Sequence, residues 1–351
     1  MKKRIKHILL SSGNFKLYQQ YIQVTRSKGI GKTGLVLAVM AMIAMTAVSY
    51  LLRPDSRLSG ELGICLPSPN LWEINPVSSW IINTVLTGAV AFGAFFLNRT
   101  HNFIRSTQPV LPVMFLLLAG SNPWINYYLS SSTLICAINL ISLSILFGEY
   151  NSRNATQPMF AIGTFMSVGS MFQYAFLPMI VAYVLGAIIM KAFRFKEFLA
   201  LGMGLIAPYW VGIGLGLISL DSFQMPDITN LFSNFAKASE IFVLAVSVGT
   251  AIFFGALLAL NNSIKLYAGN SRVNAQNMTI TLLGVVCTIC IIVDFSNMLA
   301  YLGTLYLTVA VQVANMCALW RIKREWLVVF IPAIIYIGFF IAMILSGFNQ
   351  G

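Results

Sequence analysis

Three of the chain's ten carboxylates, Asp55, Glu61 and Glu73, fall in one stretch, RPDSRLSGELGICLPSPNLWEINP (residues 53–76), between two long apolar runs. A carboxylate in such a place has two chemical uses: general base toward a hydroxyl, or oxygen ligand for a divalent cation. Arg53 and Arg57 stand close by, and a guanidinium binds phosphate oxygens through paired hydrogen bonds. The candidates are therefore Glu61 or Glu73 as base or metal ligand, Asp55 as a further acid, and Arg53 and Arg57 as substrate-binding residues. Pro67, Pro69 and Pro76 limit backbone freedom, and Trp72 would insert at a membrane interface so that Glu73 lies just above the lipid. The alternative is that the stretch only caps two membrane helices and its acids are solvated.

Other motifs carry less chemistry. RSKGIGKTG contains the GKT of a phosphate-binding loop, but residue 26 is Arg where the motif requires Gly and no strand precedes it, so nucleotide binding is excluded. Cys287 and Cys290 have CxxC spacing inside an apolar run, where they read as small packing residues. The chain has five Cys and no disulfide framework. Its two His, His7 and His101, fall on the side opposite the acidic loop, which leaves a His-based metal site or a Ser-His-Asp triad there unsupported. Asp294, in CIIVDFSNMLAY, reads as the start of a tight turn, because Asp and Asn hydrogen-bond their own backbone. No cofactor is evident, and a divalent cation on the acidic face is the one metal the residues suggest.

What must position these residues is a set of membrane helices. The chain is 58% hydrophobic and 9% charged, with mean hydropathy +0.81, against about 25% charged residues in soluble domains. Apolar runs near the roughly 20 residues of a spanning helix lie at 34–52, 77–97, 109–121, 129–148, 157–173, 175–190, 198–219, 238–260, 278–293, 298–319 and 327–346. The expected fold is all-α: a polytopic transmembrane helical bundle of about eleven spans, three of them short against the membrane's thickness. Residues 157–190 would reach about 51 Å as one helix, so two short spans or a re-entrant pair are expected, with a break at YAFLP near Pro178.

Lys and Arg keep to the cytoplasmic side. With the N-terminus inside, the eight before residue 34 join Arg99, Arg105, Arg153, Lys191, Arg194, Lys196, Lys265, Arg272, Arg321, Lys323 and Arg324, which puts 19 of 22 inside. Arg53, Arg57 and Lys237 are the exceptions. A single span over 157–190 would flip every later loop and reduce the split to 12 against 10, so the bias favours an odd count and a periplasmic C-terminus. The net charge of +12 is spread over every inner loop, as topology demands, and does not point to nucleic acid. Seven acids then face outward or sit at outer span ends: Asp55, Glu61, Glu73, Asp221, Asp227, Glu240 and Asp294.

Residues 1–33 form a basic N-terminal segment, and NFKLYQQYIQVTRSK would suit an interfacial helix on an anionic leaflet. Residues 34–351 read as one transmembrane domain, with the first span as an uncleaved anchor. In LGMGLIAPYWVGIGLGL, Gly212 and Gly216 make a GxxxG beside Gly202, Gly204 and Gly214, which predicts close helix packing, and Pro208 predicts a kink.

Two stretches, 96–123 and 159–210, resemble an uncharacterised (domain-of-unknown-function) family of polytopic inner-membrane proteins from Gram-negative bacteria. The matching elements are His101-Asn102 with a Pro soon after, F-x-x-G-x-x-x-x-x-G-S-x-F from Phe160 to Phe172, FRFKEF, and G-x-x-x-P-Y-W ending at Trp210. The resemblance implies an inner-membrane location and singles out His101 as a substrate-binding candidate. The layout is also similar to membrane glycosyltransferases and envelope-polysaccharide polymerases that use lipid-linked sugars, in which an acid of the first outer loop is catalytic. The expectation is therefore an envelope transferase acting on a polyprenyl-linked glycan. The alternatives are a transporter, which needs polar or broken helices meeting inside the membrane, and a non-catalytic scaffold.

Overall fold

The structure is a computed structural model that describes residues 31–52, 63–104, 109–223, 238–267, 270–320 and 325–348. The proposed interfacial helix near the N-terminus lies outside the described residues. So do Asp227 and Lys237.

Among the described residues eleven α-helices follow one another: α1 Lys32–Leu51, α2 Pro76–His101, α3 Val110–Gly120, α4 Ser131–Gly148, α5 Thr156–Phe172, α6 Phe176–Ile189, α7 Phe195–Gly214, α8 Ala238–Tyr267, α9 Ser271–Val293, α10 Met298–Trp320 and α11 Glu325–Met343. The chain is an integral membrane helical bundle. Eight of the described helices are long and apolar enough to cross a bilayer, and α3 and α6 are shorter apolar helices.

The boundaries follow local chemistry. Asn75 caps α2 by accepting from Val77 N–H, and Pro76 takes the first position, where its missing N–H is no loss. Ser130 and Asn270 cap α4 and α9 in the same way. Gly216, at φ +68°, ends α7 in the left-handed conformation, with Leu217 N–H donating to the Gly212 carbonyl at 2.9 Å. The expected GxxxG is thus a helix stop. Close packing falls more than two turns earlier, where a Cβ at Gly163 of α5 would lie 2.5 Å from the Leu201 carbonyl and 3.2 Å from Gly204 Cα of α7. Helix α7 continues through Pro208.

The helices run alternately between two ends of the bundle. One end gathers residues 63–75, the α5–α6 junction and the α9–α10 turn, and is called the loop end below. The opposite end carries every Lys and Arg among the described residues: Lys32, Arg99, Arg153, Lys191, Arg194, Lys196, Lys265 and Arg272.

Helix α10 is the hub, buried from Met298 to Asn315, with α3, α4, α8, α9 and α11 packed around it. Gly303 lets α4 touch it: Gly303 N–H donates to Ser132 Oγ at 2.7 Å.

Two breaks are not ordinary loops. Helix α3 has 11 residues, about 16 Å, half of a hydrocarbon core of about 30 Å. It is followed by ten buried residues, Ser121 to Ser130, containing only the short turn Pro123–Ile125. Non-helical backbone inside a membrane protein survives only where protein covers its polar groups. Here Asn126 Nδ2 reaches the carbonyls of Ala119 at 2.8 Å and Asn122 at 2.7 Å. The other break, between α5 and α6, falls at Gln173–Ala175 rather than Pro178, which lies in the first turn of α6, where its ring costs no helical hydrogen bond.

Candidate functional site

Asp294 forms the expected turn. It caps α9, its N–H donates to the Cys290 carbonyl at 2.8 Å, and Asn297 N–H returns to its own carbonyl at 3.1 Å. Its side chain is nonetheless buried, 5% exposed. Oδ2 accepts from the Tyr174 hydroxyl at 2.6 Å and the Tyr301 hydroxyl at 3.2 Å, and Oδ1 accepts from Asn297 Nδ2 at 3.0 Å. Asn297 Nδ2 also donates to the Tyr174 oxygen. A carboxyl withdrawn from water persists where donors surround it, and three elements supply them: the α5–α6 junction, the α9–α10 turn and the start of α10. Gln173, beside Tyr174, is fully buried with no protein partner for either amide atom.

The described part of the acidic stretch docks beside this centre, on the end of α5. Ile64 N–H donates to Ser170 O at 3.3 Å, and Cys65 and Leu66 N–H donate to Met171 O at 3.3 and 2.9 Å. Gly63 is required here, since a Cβ would lie 2.8 Å from the Phe172 carbonyl carbon. Trp72 packs edge-on against Phe172, centroids 5.7 Å apart, and its indole N–H donates to Pro67 O at 3.1 Å. Ser68 meets Ser131 at 3.2 Å. The loop is therefore anchored to the α5 terminus, two to three residues before Gln173 and Tyr174. Cys65 is half-buried, and burial pushes its thiol pKa up.

Of the residues singled out by sequence, Glu73 is exposed next to this anchored loop. Asp55, Glu61, Arg53 and Arg57 lie outside the described residues. His101 is at the opposite end, half-buried, its ring edge-on to Phe147 at 5.8 Å, while Arg272 donates to the Phe147 carbonyl at 3.3 Å. The 26-residue α2 separates Glu73 from His101 by about 39 Å, so they do not share a site. Among the described residues no three of His, Cys, Asp and Glu come together.

Within FRFKEF, Arg194 precedes α7 and Glu197 is buried in its first turn, where the helix dipole favours an acid. Lys196 Nζ lies 3.8 Å from Glu197 Oε1 and donates to Asn154 Oδ1 at 3.1 Å.

Sequence reasoning missed a polar stripe on the hub helix. Tyr301, Thr304, Thr308, Gln312 and Asn315, with Asn297 in the turn just before the helix, recur every three or four residues and so share one face. Asn139 Nδ2 donates to Thr304 Oγ at 3.0 Å, and Tyr183 donates to Asn139 at 2.9 Å. Toward the basic end, Asn262 Nδ2 donates to Gln312 Oε1 at 2.9 Å, and Gln312 Nε2 donates to Asn277 Oδ1 and Thr281 Oγ, both at 3.2 Å. The 3–4 spacing of amides, hydroxyls and phenols over 297–315 was the available signal.

No family model, curated protein or solved structure matches the chain.

Proposed function

We propose that this integral membrane protein lies in the inner membrane of a Gram-negative bacterium, as a member of the family it resembles, with the loop end toward the periplasm. There it would act in envelope assembly as a transferase on a polyprenyl-linked glycan. The observation that carries the reading is the anchoring of residues 64–66 to the α5 terminus beside the buried Asp294 centre. A loop that only capped two helices would need no such ladder, whereas a reacting carboxylate must be held within a fraction of an ångström.

Glu73 or Glu61 takes the proton of the acceptor hydroxyl. Its oxygen bonds to the glycosyl carbon, the carbon–oxygen bond to pyrophosphate breaks, and the polyprenyl pyrophosphate leaves against Arg53 and Arg57. A divalent cation held by Asp55 and these acids would neutralise the remaining charge of the leaving group. The test is the lipid-linked glycan content of a deletion strain carrying Glu61→Gln, Glu73→Gln or both. Accumulation of the lipid-linked precursor at normal protein level supports the transferase; full complementation by the double variant leaves the loop as a cap.

The polar stripe on α10 favours a second reading, a transporter for a small uncharged polar solute, since polar groups inside a membrane bundle commonly mark a substrate path. Solute uptake into proteoliposomes that is lost on Gln312→Leu would select it. A scaffold predicts that neither substitution changes anything.

A further inference from the structure

Helices α8 and α9 both close onto α10 through glycine. A Cβ at Gly255 would lie 2.9 Å from Val309 Cγ2, and one at Gly284 would lie 3.0 Å from Thr308 Oγ1. The two helices thus seat on adjacent residues of the hub, Val309 and Thr308. They leave a groove of about 170 Å³ floored by Leu305, Thr308, Val309 and Gln312. Its rims include the exposed Ala256, Val285 and Ile289, so it opens sideways within two membrane-crossing helices.

Size restricts what can enter. A helix is about 10 Å across and does not fit, whereas a cavity of about 150 Å³ accepts a benzene-sized apolar body. Charge restricts it further, because no Asp, Glu, Lys, Arg or His lines the groove. Hydrogen-bonding capacity restricts it again. Thr281 Oγ donates to Asn277 O at 2.9 Å, Thr288 Oγ to Gly284 O at 2.8 Å, and Thr308 Oγ to Leu305 O at 2.8 Å. Gln312 Nε2 is engaged with Asn277 and Thr281. The polar protons are spent, and what the groove offers is lone pairs. A phosphate would be repelled; a hydroxyl would be bound.

We infer that the groove between α8 and α9 is a lateral binding site for a neutral lipid alcohol, a long hydrocarbon chain bearing one hydroxyl that donates to Thr288 or Thr308. The inference stands apart from the transferase reading, whose residues are at the loop end.

The test uses the full chain in lipid nanodiscs and two photoreactive probes, a diazirine-bearing long-chain alcohol and the same chain with methyl in place of hydroxyl. Adducts are expected within 252–259 and 284–289, with the alcohol labelling roughly three- to tenfold more, the factor expected for one net hydrogen bond. Ala256→Phe, at an exposed rim position, abolishes both labels. Thr288→Val with Thr308→Val keeps the shape, brings the ratio to about one and leaves the hydrocarbon label unchanged. Equal labelling of the unaltered protein by both probes would mean ordinary acyl contact and overturn the inference. So would adducts elsewhere, or a crosslinked dimer in place of lipid adducts. Loss of lipid-linked glycan turnover in Glu73→Gln bears on the other proposal alone.

Discussion

The Tyr174 hydroxyl donates a 2.6 Å hydrogen bond to Asp294 Oδ2 across 120 residues of sequence, tying the α5–α6 break to the α9–α10 turn. Tyr301 and Asn297 complete the arrangement, and the acidic loop rests on the residues just before Tyr174. The centre therefore joins three helix breaks at one end of the bundle.

Removing one donor should loosen that end. Tyr174→Phe should lower stability by about 1–3 kcal/mol, because a buried acceptor loses its shortest partner. Thermal unfolding in detergent reads the change, and proteolysis of residues 63–75 should quicken alongside it. An unchanged melting temperature would show that Tyr301 and Asn297 suffice.

Cys65 gives a second measurement. Its half-buried thiol has a raised pKa, and the thiolate is the species that attacks a maleimide. Labelling at pH 7 should thus be slower than for a free thiol and should climb with pH to above 9, since the thiolate fraction rises only as pH approaches the raised pKa. A membrane-impermeant maleimide should reach it in intact spheroplasts if the loop end faces the periplasm.

Orientation can be checked independently. A reporter active only in the cytoplasm should work when fused after residue 106, 197 or 324 and fail when fused at Gly351. Activity at Gly351 would contradict the odd number of crossings and the positive-inside placement of the basic end.

The glycines of α7 separate packing from backbone effects. Gly204→Ala should destabilise by about 1–3 kcal/mol through overpacking against α5, since its Cβ would lie 3.1 Å from Thr164 N. Gly202, with open space around it, should accept Ala with a gain of about 0.5–1 kcal/mol from helix propensity. Gly216→Ala should cost about 1–2 kcal/mol because its φ is left-handed. The three values come from denaturation of the purified variants. A Gly204→Ala protein as stable as Gly202→Ala would remove the case for close α5–α7 packing.

Much of the fold was legible in residues 31–348 because hydropathy is a local quantity. Apolar runs placed the helices, and the length of 157–190 implied its division into α5 and α6. DFSN implied a turn at Asp294, and the turn is there. The break at Gln173–Ala175 falls where the runs 157–173 and 175–190 meet, but Pro178 stands inside α6, because proline is welcome in the first turn of a helix and marks a start as well as a stop.

By itself, the amino-acid sequence determined that this is a multi-helix membrane protein with its positive charge concentrated at one end, since composition and periodicity alone decide whether a segment prefers lipid. It also marked the 53–76 loop as the densest patch of acids. Only the tertiary structure decided which polar residues leave water. Asp294 reads the same in a solvated turn as in a buried one, and the difference rests on Tyr174, 120 residues away. The groove between α8 and α9 is likewise lined by Gly255 and Gly284, which approach Val309 and Thr308 of α10. Such pairings are set by long-range packing, which no local pattern encodes.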